Sequence, residues 1–373
     1  MRQVRMGRRI EAGLLALALS AGSAMPAAAW KLSPSGTEQE RKVSALTAGH
    51  WERVVNSLAA AGIHRFTESV HEEITQKIYG CEGDGEACAS GDMLYASPYV
   101  IAGVRWNDDP PFRLDVGEGT KTDCKTSETI RVTTQPLCWA QLFRDAERRA
   151  RSGHSLDAAS GASLLARSHF GDLQFLHAMA ERDGEIAYET RRRLMMWAEF
   201  TWRTSLGEYG LDRLLREVPI AGMAEFFGRS EWRVQDLFTL GNPPLRRYVH
   251  EVAFGSLLHA VEDSFAKGHV EREEGISGAT CPDTDRLPRP GRVREFHSYV
   301  GQDSGRHGHY DSAEAFKAHM LAERPNVVEV GRALRELNDA RTPWERARPY
   351  FECIFALADP QRPASAGADF RGR

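Results

Sequence analysis

Strand-like alternation is almost absent from this 373-residue chain, confined to Glu128–Thr134. A β-sandwich or barrel needs many such segments, so those folds are excluded. No Gly-rich phosphate loop and no Ser or Cys nucleophile motif occurs, which leaves nucleotide-cradling and acyl-enzyme chemistry without an anchor. There is no Cys-x-x-Cys pair, so a zinc–thiolate site has little support. No internal repeat or composition break divides the chain. Lys and Arg number 48 against 52 Asp and Glu, a formal charge of −4, and the basic residues form no stripe. The electrostatic footprint of a duplex nucleic-acid binder is therefore missing. Beyond the first thirty residues, no apolar run reaches the length of a membrane span.

The amino-terminal segment is informative. Arg2, Arg5, Arg8 and Arg9 precede an apolar stretch from Ala12 to Ala21, and Ala27-Ala28-Ala29 follows. This is the pattern of a secretory signal, residues 1–29, cut after Ala29. Cutting there predicts a secreted or periplasmic protein that begins at Trp30. Its free amino group and carbonyl oxygen could then chelate a metal ion. Six cysteines fit an oxidising compartment. Of their 15 pairings, the local ones Cys81 with Cys88 and Cys124 with Cys138 are favoured, which leaves Cys281 with Cys353.

Helical periodicity dominates the rest. Apolar spacing predicts helices over Glu38–Ala61, Phe66–Tyr79, Ala140–Arg151, Ala162–Arg182, Tyr188–Leu206, Leu211–Phe227 and Leu245–Gly268. Three shorter ones follow at Ala313–Ala322, Val327–Leu337 and Pro343–Ala358. Loop-rich stretches separate them at Gly80–Pro136 and Glu274–Gly308. The expected fold is all-α, a single multi-helix bundle over residues 30–358 with disulfide-bearing loops. Residues 359–373 read as a flexible tail. Such a bundle can project metal ligands inward from facing helices.

The sharpest motif is His259-x3-Asp263 in an apolar helix, since residues four apart share a helical face. His269 lies ten residues after His259, about 280° round after whole turns, and should serve a different ion. The plain alternative is a His–Asp hydrogen bond. His169-Phe170-Gly171-Asp172 offers a further His, with His177 a rival on nearly the same face; a packed core His explains either. His307-x3-Asp311 repeats the spacing, with His309 as its rival and a Gly-rich surface loop as the bland reading. Asn107-Asp108-Asp109-Pro110 sets two carboxylates in a turn, which turn chemistry alone also explains. His71 opens His-Glu-Glu-Ile-Thr, which lacks the second His of His-Glu-x-x-His. No His-Asp dipeptide occurs, which counts against the all-α HD phosphohydrolases. Nitrogen and oxygen donors of this kind suit zinc.

Taken in order, these motifs resemble the superfamily that unites zinc-dependent phospholipases C with single-strand nucleases, and the resemblance spans most of residues 30–358. It implies an all-α bundle with a trinuclear zinc site. Asp108, His169, His259 and Asp263 would hold one Zn2+. Trp30 and His71, with Asp263 as bridge, would hold a second. His269, His307 and Asp311 would hold a third. Two departures stand out: Trp30 and His71 lie far apart, with His50 or His64 as substitutes, and Asp109 competes with Asp108. The central Glu262-Asp263-Ser264-Phe265 run is closer to the phospholipase pattern than to the nuclease one. The implied activity is hydrolysis of phospholipid head-group phosphodiester bonds by zinc-activated water, with Asp108 as ligand and general base. Trp106, Phe112 and Phe170 could wall the substrate, although each could equally be core. The implied partners are a phospholipid or small phosphoester and transient contact with a membrane surface, with no duplex nucleic acid and no stable protein partner. The alternatives are a single-strand nuclease or 3′-nucleotidase, or an exported zinc-binding protein without catalysis.

Overall fold

The computed structural model describes residues 68–83, 88, 95–114, 124–229 and 231–372. The signal segment, Trp30, His50, His64 and the Glu38–Ala61 helix lie outside the described residues. The described chain is about half helical, with few strands. Its helices are α1 (Val70–Ile78), α2 (Pro98–Val104), α3 (Pro136–Arg151), α4 (Leu164–Phe170), α5 (Ala187–Ser205), α6 (Met223–Phe227), α7 (Val234–Thr239) and α8 (Val249–Asp263). A two-stranded antiparallel ribbon follows, β1 (Val270–Arg272) with β2 (Val293–Phe296). Then come α9 (Ser304–Tyr310), α10 (Ala313–Ala322), α11 (Val327–Asp339) and α12 (Trp344–Ile354).

α8 is the central element. Val252, Ala253, Leu257, Leu258, Ala260 and Val261 are buried together with the polar Ser256, His259, Glu262 and Asp263, so most of the helix lies inside the core. It packs against α1, α2, α5, α7 and α11. Its approach to α2 is unusually close. A Cβ on Gly103 would sit 2.1 Å from the Val252 carbonyl oxygen, and one on Gly255 would sit 2.1 Å from that of Val100. Two glycines thus let two backbones touch, which brings the turn after α2 onto the middle of α8. The main core includes Trp106, Trp197, Trp202 and Phe238, and a second apolar cluster joins Trp139, Phe143, Phe170 and Tyr299.

Several expectations are corrected. The Ala162–Arg182 pattern is not one helix. α4 stops at Gly171, where any Cβ would lie 1.8 Å from the Leu156 carbonyl oxygen. A 3₁₀ turn, Gln174–His177, follows and ends on Ala178 in the left-handed region. Leu211–Phe227 is likewise broken, into a 3₁₀ turn, Leu215–Glu217, and the short α6, which starts after Gly222 at φ +97°. Glu128–Thr134 contributes one bridge, Phe112 to Ile130, and no strand. α2 forms inside the stretch expected to be loop, started by Pro98 and capped by the Ser97 hydroxyl. The flexible tail is corrected too: Ala364, Ala366 and Phe370 are buried, and the Ala364 amide donates to the Glu185 carbonyl at 2.8 Å.

The disulfides are Cys81–Cys88, Cys124–Cys138 and Cys281–Cys353, the favoured pairing, and they fit an oxidising compartment. No described helix is long and apolar enough to cross a membrane.

Gly255→Ala is expected to destabilise the protein by about 3 kcal/mol or more, because the intruding methyl meets backbone and not a movable side chain. Gly210, with open space around it, should accept Ala within about 0.5 kcal/mol. Denaturant unfolding of both variants compares them; equal midpoints would mean that the crossing relaxes easily.

Candidate metal centre

Five segments deliver ligand-type side chains to one buried place. α1 carries His71 in its first turn. The turn after α2 carries Asp108 and is pinned on both sides by Asn107. The Asn107 amide donates to the Leu176 carbonyl at 2.7 Å, and the Ser256 hydroxyl donates to Asn107 Oδ1 at 2.6 Å. These bonds fix Asp108 against both the 3₁₀ turn and α8. α4 supplies His169, the turn supplies His177, and the last turn of α8 supplies His259 and Asp263. All six residues are at most 3% exposed.

Their ligand atoms form overlapping sets: His71, Asp108 and His259; Asp108, His169 and His177; His177, His259 and Asp263. Within each set the atoms lie inside 4.8 Å of one another. The two oxygens of Asp263 face different histidines. Oδ1 is 3.4 Å from His71 Nε2, whereas Oδ2 is 2.9 Å from both His177 Nδ1 and His259 Nε2. Asp108 lies 3.9 Å from His71 Nε2 through Oδ2, and 3.9 Å from His169 Nε2 and His177 Nδ1 through Oδ1.

Outer hydrogen bonds set the tautomers. His259 Nδ1 donates to the Val104 carbonyl at 2.7 Å, and His169 Nδ1 to the Leu165 carbonyl at 2.9 Å. His71 Nδ1 meets Glu262 Oε2 at 2.6 Å, and the Thr75 hydroxyl donates to the other Glu262 oxygen at 2.8 Å. Each inner Nε2 then turns inward, the arrangement that orients metal-bound histidines. Burial, followed by the neighbouring His71 charge, lowers the His259 pKa to about 4. Near pH 7 the ring is therefore neutral, and its Nε2 lone pair points at a carboxylate oxygen 2.9 Å away. Only a shared cation or proton makes that contact favourable. The donor set thus fits a cation, with neutral imidazole and carboxylate ligands typical of zinc.

A second group follows α8. His269, His307 and Asp311, all buried, also lie within 4.8 Å of one another. His307 Nε2 is 3.2 Å from Asp311 Oδ2, and the His269 and His307 rings stack at 5.1 Å. Gly268 allows this approach, since a Cβ there would lie 2.9 Å from His307 Nδ1. The two groups are joined: His269 Nδ1 donates to the His177 carbonyl at 2.7 Å and lies 3.6 Å from Asp263 Oδ2.

The geometry decides between sequence alternatives. Asp109 accepts from the Val132 amide at 3.0 Å and pairs with Arg131 at 3.3 Å, so Asp108 alone of the two faces the histidines. His309 is exposed, whereas His307 is buried. Asp172 is held by Arg167 at 2.8 Å, away from the site. Trp106, Phe112 and Phe170 are packed in the core, at most 4% exposed. His177, treated as a rival to His169, converges on Asp108 together with it. The break at Gly171 makes both reach, and a continuous helix would have set them roughly 12 Å apart along its axis. Glu262, which the motif reading passed over, is the partner of His71; its signal was a Glu inside an otherwise apolar helix. Trp30 lies outside the described residues.

No protein-family model, no curated protein and no solved structure matches this chain.

Metal titration of chelator-stripped protein checks these assignments. Asp108→Asn and His177→Ala should each weaken cation binding at the larger group by at least about tenfold. Asp109→Asn should leave binding unchanged yet cost on the order of 3 kcal/mol in stability, because Arg131 loses its buried partner. A pH series adds a second check. Burial opposes charge on His71, but hydrogen bonds to Asp263 and Glu262 outweigh it and raise its pKa to about 9. An incoming cation must displace that proton. Apparent affinity should therefore climb as pH rises toward about 9, and the climb should flatten in His71→Asn.

Proposed function

We propose that this chain is an exported zinc-dependent phosphodiesterase of the phospholipase C type. The observation that carries the reading is Asp263. Its two oxygens address His71 on one side and His177 with His259 on the other, as a carboxylate shared by two cations would. In this reading Asp108, His169, His177, His259 and Asp263 hold one Zn2+. His71 and Asp263 hold a second, completed by Trp30 if the chain begins there. His269, His307 and Asp311 hold the third.

Bound zinc supplies Lewis acidity and a water whose pKa is lowered to about 7. The protein's own side chains do the remaining work. Asp108, set between three histidines, takes the proton of the attacking water at a carboxylate oxygen. Glu262, buttressed by Thr75, fixes the His71 ring through Nδ1. Burial of the whole cluster excludes bulk water, so that charges there interact more strongly than at the surface. The Glu262-Asp263-Ser264-Phe265 run, closer to the phospholipase pattern than to the nuclease one, favours the phospholipid reading over the single-strand nuclease.

Purified protein beginning at Trp30 should contain close to three zinc ions and cleave phosphatidylcholine to diacylglycerol and phosphocholine. Cleavage of single-stranded DNA or 3′-nucleotides instead would move the assignment to the nuclease branch. Inactivity on all three substrates at full zinc loading would leave a zinc-binding protein without catalysis. Asp263→Asn should be the most damaging single change, lowering content at two positions, while His269→Ala should lower it at one. Elemental analysis separates the two; full zinc content with near-normal hydrolysis in Asp263→Asn would overturn the shared-carboxylate reading.

A further inference from the structure

We propose that the carboxy-terminal segment 365–372 is a positioning strap for the smaller cation group, and that Phe370 and Gln302 are its working contacts. The inference rests on the reading of His269, His307 and Asp311 as a cation site. Those three ligands come from separate pieces of chain, the loop after α8 and the helix α9, and something must hold the two in register.

The loop side is held through the Gly268 carbonyl, one residue before His269. It accepts from Gln302 Nε2 at 2.7 Å and from His297 Nδ1 at 3.1 Å. The same Gln302 amide donates to the Ala366 carbonyl at 2.9 Å. One side-chain amide therefore staples the His269 loop to the strap. The His297 ring lies against Gly367, where a Cβ would be 2.6 Å from the ring and where φ is +81°. Glycine at 367 is what lets the strap pass this close.

The helix side is held by Phe370. Its carbonyl accepts from the Asp303 amide at 2.6 Å, while the Asp303 carboxylate caps α9 by accepting from the Arg306 amide at 2.9 Å. The Phe370 ring, 4% exposed, packs edge-on to Tyr310 at 5.0 Å and to His307 itself at 6.5 Å, and lies 5.5 Å from His297. Further backbone bonds, Ser298 amide to Ser365 carbonyl and Gly372 amide to Gly301 carbonyl, run along the same path. α9 has only seven residues, too few to be stable without such support. The strap thus fixes the imidazole of His307 from behind and the approach of His269 from the side. None of the residues it grips carries a ligand of the larger group.

The test compares Phe370→Ala, Phe370→Tyr, Gln302→Ala and a chain ending at Gly367 with the unaltered protein. Each is stripped with chelator, titrated with zinc alone, and followed by calorimetry and elemental analysis. Helical content and thermal midpoint are recorded in chelator. Phe370→Ala, Gln302→Ala and the shortened chain should bind zinc at the smaller group about 10–100-fold more weakly, the usual effect of removing a ligand's support. Binding at the larger group and the bulk of the helical content should stay near those of the unaltered protein, the midpoint should drop as a buried ring is lost, and Phe370→Tyr should restore the site. Combining Phe370→Ala with His269→Ala should lose no more zinc than His269→Ala alone. Unchanged affinity in all the variants would overturn the proposal, as would parallel loss at both groups with loss of helix, which marks a general folding element. If the unaltered protein takes up zinc at the larger group only, the cation reading of the smaller group fails, and the strap's role with it.

Discussion

At the last turn of α8 a carboxylate with no solvent exposure, Asp263, faces the imidazole of His259 on its own helix and those of His71, His177 and His269 from three other stretches of chain. A buried anion is tolerable only when it is compensated on every side, and this requirement organises the structure around it. The histidines lower the Asp263 pKa despite the burial that would raise it, so the charge stays. α1, the turn after α2, the 3₁₀ turn and the loop to β1 all end or bend within reach of it. Their backbones supply the second layer, with the carbonyls of Val104, Leu165 and His177 taking the outer imidazole protons. Each such bond removes one rotational choice and one tautomer. The centre is thus prepared by main-chain groups that no side-chain substitution can delete.

The close contact of α2 with α8 makes this possible. Gly103 and Gly255 bring backbone against backbone, and the turn that follows α2 then carries Asn107 and Asp108 over the middle of α8. Asn107 adds the third party by bonding the Leu176 carbonyl next to His177. A looser crossing with ordinary side chains between the helices would lift Asp108 away from His259.

What the sequence made legible follows from periodicity. His259 and Asp263 share a face because four residues make a little more than one turn. The same arithmetic sent His269 to a separate group, where it is found with His307 and Asp311. The local disulfides were legible because short spacings leave few partners. What could not be read is where a helical pattern stops for tertiary reasons. Nothing in the apolar spacing of Ala162–Arg182 signals that Gly171 lies against the Leu156 carbonyl, and that contact is what turns His177 into the site. The carboxy-terminal segment was missed for a related reason. Its Pro, Ala, Gly and Arg composition shows no period, and its order comes from backbone bonds and one Phe ring. Asp109 could not be separated from Asp108 because the partner that claims it, Arg131, lies 22 residues away.

The two ligand groups are not independent modules. His177 presents its imidazole to Asp263 and His259, and its carbonyl to His269. Any rearrangement that tightens His177 on the larger group also moves the acceptor that orients His269. The link is short, stiff and buried, and interiors this tightly packed switch between arrangements more readily than they deform. The two groups are thus joined in space through a single residue. The link passes through the one peptide that the break at Gly171 brought to the centre, so the departure from regular helix that hid His177 from the sequence is also what couples the groups.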